Sequence, residues 1–136
     1  MATDIVDALA RVPLLSSLDR KHLQKLSSDF AERSYEPGAV VVREGDDQGV
    51  GFFVVADGHA TVTVDGKEVA NLGPGDYFGE VALLGDRVRT ATVTASTDLR
   101  CLVMTAWVFR SFVQGDADVA WKLLQHLGQM MRPAHH

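Results

Sequence analysis

A single cysteine, Cys101, stands among 136 residues, so no internal disulfide can form. Set in the apolar run Cys101 to Met104, it reads as a small buried hydrophobe rather than a reactive thiol. Long hydrophobic runs are also missing. Hydrophobic residues make up 46% of the chain, yet no stretch approaches the roughly 20 residues that a membrane-spanning helix needs. Neither a membrane span nor a signal peptide is expected, which places the protein in the cytoplasm and away from membranes. Positive charge is scarce. Thirteen basic residues against eighteen acidic ones give a net charge of −5, which opposes non-specific contact with nucleic acid or anionic lipid. A small anion would have to be captured by a local positive site. The five histidines, His22, His59, His126, His135 and His136, include no His-x-His pair on a strand, so no metal centre is expected. His135-His136 follow Pro133, read as the start of a purification tag, and are left out of the functional reading.

What is present is enough for one domain over residues 1–136, large enough to bury about two thirds of its unfolded surface. Ile5, Val6, Leu9 and Val12 recur at helical spacing and predict a short helix from Asp4 to Arg11, stopped by Pro13. Leu23, Leu26 and Phe30 predict a second helix from Asp19 to Phe30, with Ser17 or Asp19 as its cap. Residues 1–30 therefore form an N-terminal helical unit. From Ala31 the period changes to two and glycines punctuate it, predicting strands near Ala31–Tyr35, Val40–Arg43, Gly51–Ala56, Ala60–Val64, Lys67–Leu72, Asp76–Phe78, Arg89–Ala95 and Leu99–Thr105. Eight such strands over residues 31–105 fit a mainly β fold, an eight-stranded jelly-roll barrel with flanking helices. Asp65-Gly66 supplies the positive φ of a type I′ hairpin turn. Helical period returns over residues 106–132, in Trp107 to Val113 and then from Asp116 or Asp118 to Arg132. The second of these carries Ala117, Ala120, Trp121, Leu124, Leu127, Gly128 and Met131 on one stripe, broadened by Val119, Leu123 and Met130. Residues 133–136 are a tail.

The chemistry concentrates in the stretch from Tyr77 to Val93. Gly79 permits a sharp turn, and Glu80 to Leu84 can form one helical turn whose first N–H groups lack partners and attract an anion. Arg89 opens the alternating run Thr90-Ala91-Thr92-Val93, which would hold a guanidinium beside that turn to grip one phosphate. Glu80 cannot itself face a phosphate, so it needs a hydroxyl or a cation. A phosphate with a neighbouring ribose hydroxyl satisfies both groups. Alternation puts Arg87, Arg89 and Ala91 on one face, so periodicity does not choose between the two arginines.

Phe78-Gly79-Glu80-Val81-Ala82-Leu83, followed after a gap by Arg89-Thr90-Ala91-Thr92-Val93, resembles the phosphate-binding cassette of cyclic nucleotide-binding domains. The resemblance extends in order through Pro37-Gly38, Glu44-Gly45-Asp46, Phe53-Val54-Val55, Asp57-Gly58 and Leu72-x-x-Gly75-Asp76, over residues 13 to 112, with the cassette at 78–93. It implies a non-catalytic sensor in which Arg89 pairs with the cyclic phosphate and the N–H groups from Gly79 to Ala82 cradle it. Phe78, Val81 and Ala91 complete the ligand-binding set. Glu80 then accepts the ribose 2′-hydroxyl, and Thr90 reaches phosphate or purine. The match to Arg-Thr-Ala-Thr-Val favours Arg89 over Arg87, although Val88 stands where many members have proline. The resemblance also places the last helix over the base as a lid, through Trp121, Leu124 and Leu127, and lets the N-terminal helices move against the barrel. Plain packing of either helical unit is the alternative. Thr90 permits cGMP without setting a preference, and a largely apolar lid offers guanine's carbonyl and N1–H few partners, so cAMP is expected as the tighter ligand, with no metal or other cofactor.

Two further readings compete. A cupin-type metalloenzyme shares the jelly-roll outline but needs clustered histidines. A degenerate domain that has lost its ligand would serve as an interaction module, against which Gly79, Glu80 and Arg89 argue. Transcription factors of the family carry a helix-turn-helix after the lid helix, and none is visible here, so DNA binding is not expected. The chain is expected to be a monomer that reports to an unidentified effector domain or protein.

Overall fold

The structure is a computed structural model that describes residues 2–45, 51–79 and 90–131. Helix α1 (Ala2–Ala10) leads into a 3-10 turn (Pro13–Leu15) and helix α2 (Arg20–Ser27). Strands β1 (Ala31–Tyr35), β2 (Val40–Val42), β3 (Gly51–Asp57), β4 (Ala60–Val64), β5 (Lys67–Leu72), β6 (Tyr77–Phe78), β7 (Thr92–Ala95) and β8 (Leu99–Thr105) come next. Helices α3 (Ala106–Gly115) and α4 (Ala117–Met131) close the order. The fold is mainly β, with two antiparallel sheets of strand order β1-β8-β3-β6 and β2-β7-β4-β5, plus helices.

The β3–β8 pair of the first sheet is buried on both faces, and period-two alternation sorts its side chains. Phe52, Val54 and Ala56 of β3, with Leu102 and Met104 of β8, join Val6, Leu9, Val12, Leu14, Leu15 and Phe109 in a core beneath the helices. Phe53, Val55, Cys101 and Val103 turn the other way and meet Ala60, Phe78, Val93 and Ala95 between the sheets. The register Phe53↔Val103 and Val54↔Leu102 keeps those sets in step. The second sheet is half wet. Ala60↔Ala95 and Val62↔Val93 pair on its inner side, and Thr61↔Thr94 and Thr63↔Thr92 on its outer side.

Helix ends obey side-chain chemistry. Asp19 accepts from the His22 N–H at 2.9 Å, which caps α2 and selects Asp19 over Ser17. That bond, with the His22 side chain next in effect, holds the exposed Asp19 carboxyl below its ordinary pKa. Thr105 caps α3 by accepting from the Val108 N–H at 3.4 Å. Asp116 is the whole joint between α3 and α4: its N–H donates to the Val113 carbonyl, and its carboxylate accepts from the N–H groups of Asp118 and Val119.

Several expectations are corrected. The first helix begins earlier than Asp4 and ends at Ala10, and a 3-10 turn stands after it, because Pro13 starts a new turn as well as stopping the old one. The third helix runs through Gln114 and Gly115 instead of breaking there. β7 begins at Thr92, so Thr90 and Ala91 precede the strand rather than belong to it, and strand alternation cannot be carried back to them. The stripe on α4 also differs. Val119 and Leu123 are its buried residues, whereas Trp121 and Leu124 are 61% and 59% exposed. The Asp65-Gly66 turn is as expected, with φ of 52° and 78°.

Gly58 has φ +86°, and a Cβ there would overlap the Asp98 carbonyl at the start of β8. Gly38 has φ +90° but open space around it. Both Gly→Ala variants should lose roughly 1–2 kcal/mol from the left-handed backbone. Gly58→Ala should lose clearly more, since β8 must shift; equal denaturant midpoint shifts for the two would contradict this packing.

Candidate functional site

Of the cassette residues, Phe78, Gly79, Thr90 and Ala91 are described. Glu80, Val81, Ala82 and Arg89, with Arg87 and the expected turn from Glu80 to Leu84, lie outside the described residues. What the structure gives is the frame on either side. On one flank, β6 is the edge strand of the first sheet, paired to β3 through Phe53↔Phe78 and Val54↔Tyr77. On the other flank, β7 lies inside the second sheet between β2 and β4. The segment is therefore anchored at its two ends in two different sheets.

Each anchor is firm for a local reason. Phe78 is buried and stacks on Phe53, with ring centroids 4.7 Å apart and planes 5° apart. Its neighbour Tyr77 points to the opposite face, as strand geometry requires, and meets Phe52 at 5.4 Å. Phe52 in turn stacks on Phe109 of α3 at 4.6 Å. An aromatic column thus runs from the start of the cassette to α3, and a second enters the barrel interior. Sequence reasoning misses the Tyr77-to-Phe109 column, although alternation at Tyr77-Phe78 is the signal that could expose it. Gly79 comes next with φ +98°, a left-handed turn of the kind expected there.

On the far flank, Thr92 accepts from the Glu44 N–H at 2.9 Å. Glu44 reaches onward, its carboxylate accepting from the Asp65 N–H at 2.9 Å in the β4–β5 hairpin. The family-like Glu44-Gly45 pair therefore ties the end of β2 to both the cassette exit and a hairpin turn. Thr90 is exposed and Ala91 half-buried.

One charged cluster lies elsewhere, on the first sheet. Arg100 on β8 is 20% exposed and bridges two strands, 2.8 Å from Glu32 of β1 and 2.8 Å from Asp57 of β3. Burial pushes the Cys101 thiol up to about 12, so it stays a protonated hydrophobe as expected. Tyr35 beside it is raised first by burial and then by Cys101. Among the described residues no group of three or more His, Cys, Asp or Glu is placed to hold a metal ion. No helix among them is long and apolar enough to cross a membrane.

Of the lid residues, Trp121 and Leu124 are exposed and Leu127 half-buried. Trp121 and Leu124 lie on the side of α4 away from Val119 and Leu123 and form an apolar surface facing solvent, whereas Leu127 lies nearer Leu123.

Residues 32–116 match the model of the cyclic nucleotide-binding domain. The cAMP-dependent protein kinase regulatory subunit of Schizosaccharomyces pombe is 45% identical over 112 residues, covering 82% of this chain and 27% of that protein. A solved structure of the regulatory domain of Toxoplasma gondii PKA with cAMP superposes with a TM-score of 0.82 at 25% identity, over 94% of this chain and 50% of that one. A PKAR CBD2 bound to Sp-2Cl-cAMPS superposes with a TM-score of 0.81 at 26% identity, over 95% of this chain and 88% of that one. The chain belongs to the cyclic nucleotide-binding domain family. It spans about a quarter of the length of the curated relatives it matches.

Thr92→Val keeps the shape of the strand residue but leaves the Glu44 N–H without its acceptor. Stability should fall by about 1–2 kcal/mol in urea titration. An unchanged midpoint would mean that the hydroxyl does not anchor the exit strand.

Proposed function

We propose that this chain is a non-catalytic cAMP sensor. The observation that carries the reading is the frame around the cassette. A phenylalanine locked in the barrel core is followed at once by a left-handed glycine, and the chain re-emerges into a strand tied down by Thr92. Flanks fixed in two different sheets are what a preorganised anion site requires on either side of it. The ligands bound in the solved relatives, cAMP and Sp-2Cl-cAMPS, support a cyclic nucleotide as that anion.

In this reading the two sheets close as an eight-stranded jelly roll, supported by their strand order, and residues 1–136 act as one domain. Arg89 pairs with the cyclic phosphate, and the N–H groups from Gly79 to Ala82 cradle it beside Phe78, Val81 and Ala91. Glu80 accepts the ribose 2′-hydroxyl, and Thr90 reaches the phosphate or a purine. Trp121, Leu124 and Leu127 cover the base as a lid, a role that fits an apolar surface left facing solvent. Such a lid offers guanine's carbonyl and N1–H few partners, and burying them unmatched costs about 1–3 kcal/mol, so cAMP is preferred over cGMP. The domain works in the cytoplasm as a monomer. Occupancy passes through the Tyr77–Phe52–Phe109 column to α3 and on to an effector. The relatives are named as regulatory subunits of a cAMP-dependent protein kinase, which supports a protein kinase catalytic subunit in that place.

Calorimetry with cAMP and cGMP tests this directly. The parent should bind both, cAMP more tightly. Arg89→Ala should lose roughly 2–5 kcal/mol of cAMP affinity with folding intact, and Arg87→Ala much less. Full affinity in Arg89→Ala with loss in Arg87→Ala would reassign the phosphate ligand. No binding by the parent would remove the sensor reading.

A further inference from the structure

Little holds α4 where it lies. Among its described side chains only Val119 and Leu123 are buried. At 100° per residue, Trp121 and Leu124 lie roughly 150° around the helix from that pair, so the apolar lid surface and the packed surface are nearly opposed. Between them is Lys122, only 27% exposed, whose Nζ donates to the Ser16 hydroxyl at 2.8 Å and sits 3.4 Å from the Asp118 carboxylate one turn earlier. Ser16 is no free rotor on a loop: its own N–H closes the 3-10 turn by donating to the Pro13 carbonyl at 3.1 Å. The neighbouring Ser17 hydroxyl, ahead of Lys122, keeps the Asp118 carboxyl below its ordinary pKa. The first turns of α4 are thus clasped from one side by the N-terminal unit, through polar groups that water can replace.

We propose that the Ser16–Lys122–Asp118 bridge is a latch: it holds α4 against the 3-10 turn with Trp121 and Leu124 facing solvent, and so competes with closure of the helix over a bound nucleotide. This rests on the lid reading given above. The reasoning is one of populations. A ligand that needs the helix elsewhere binds with its intrinsic affinity multiplied by the fraction of molecules already unlatched. Breaking the latch therefore tightens binding. A bond that merely stabilised the fold would, when broken, leave affinity unchanged or weaken it.

Ser16→Ala and Lys122→Met in the full chain test the two halves, methionine preserving much of the apolar stem. Hydrogen exchange in the ligand-free protein should accelerate severalfold across residues 117–131 in both variants, with exchange in β3 and β8 unchanged. The double variant should be no faster than Lys122→Met alone, because the bond that Ser16→Ala removes is already lost in Lys122→Met. Unaltered protection of α4 would overturn the latch. Calorimetry should then show cAMP bound about three- to tenfold more tightly by either variant than by the parent. Faster exchange with equal or weaker affinity would overturn the competition. Failure of the parent to bind cAMP would remove the sensor reading and the competition with it, and the exchange result alone would decide whether the bond holds the helix.

Discussion

Everything in this molecule hangs on the pairing of β3 with β8 and on the burial of both faces of that pair. Because successive residues point to opposite sides, Phe52, Val54 and Met104 must serve the helices while Phe53, Val55 and Val103 serve the space between the sheets. A slip of one residue would exchange the two sets, so the register is determined twice over. The helices at both ends of the chain pack on one face of this sheet, and the cassette starts from its edge.

That arrangement suits the fold to signalling. A nucleotide bound at the sheet edge would be separated from α3 by aromatic contacts only, Tyr77 on Phe52 on Phe109, without a flexible loop between them. The interior stack of Phe78 on Phe53 keeps the same edge from yielding toward the barrel.

Most of the fold was legible in the sequence because its signals are local. Asp65-Gly66 fixes its own turn, an acceptor at Ser17 or Asp19 marks the start of α2, and the short apolar run from Gly51 to Ala56 marks a strand buried on both faces. The cassette residues were legible as a pattern; the structure adds the burial of Phe78 and the left-handed turn at Gly79, while Glu80 and Arg89 lie outside the described residues. What sequence could not give depends on tertiary choice. Strand β7 starts at Thr92 because pairing with β2 and β4 begins there, although Arg89 already opens the alternation. Likewise α4 carries apolar residues around most of its circumference, so periodicity could not say which would be buried. The body of the protein selected Val119 and Leu123 and left Trp121 and Leu124 outside.

Asp116 sets the mechanical character of the last helix. A single extended residue, with φ −140° and ψ 104°, serves as the end of one helix and the start of the next. Neither helix needs to lose a hydrogen bond within its body for the angle between them to change; a few tens of degrees at one residue suffice. Helix α4 has 15 residues, and at 1.5 Å rise each it is a rod of about 22 Å. Pivoted at one end, such a rod turns a rotation of about 20° into a sweep of about 8 Å at its tip, by simple lever geometry on that length. A small rotation beside the hinge thus becomes, at the tip, a displacement the size of a side chain.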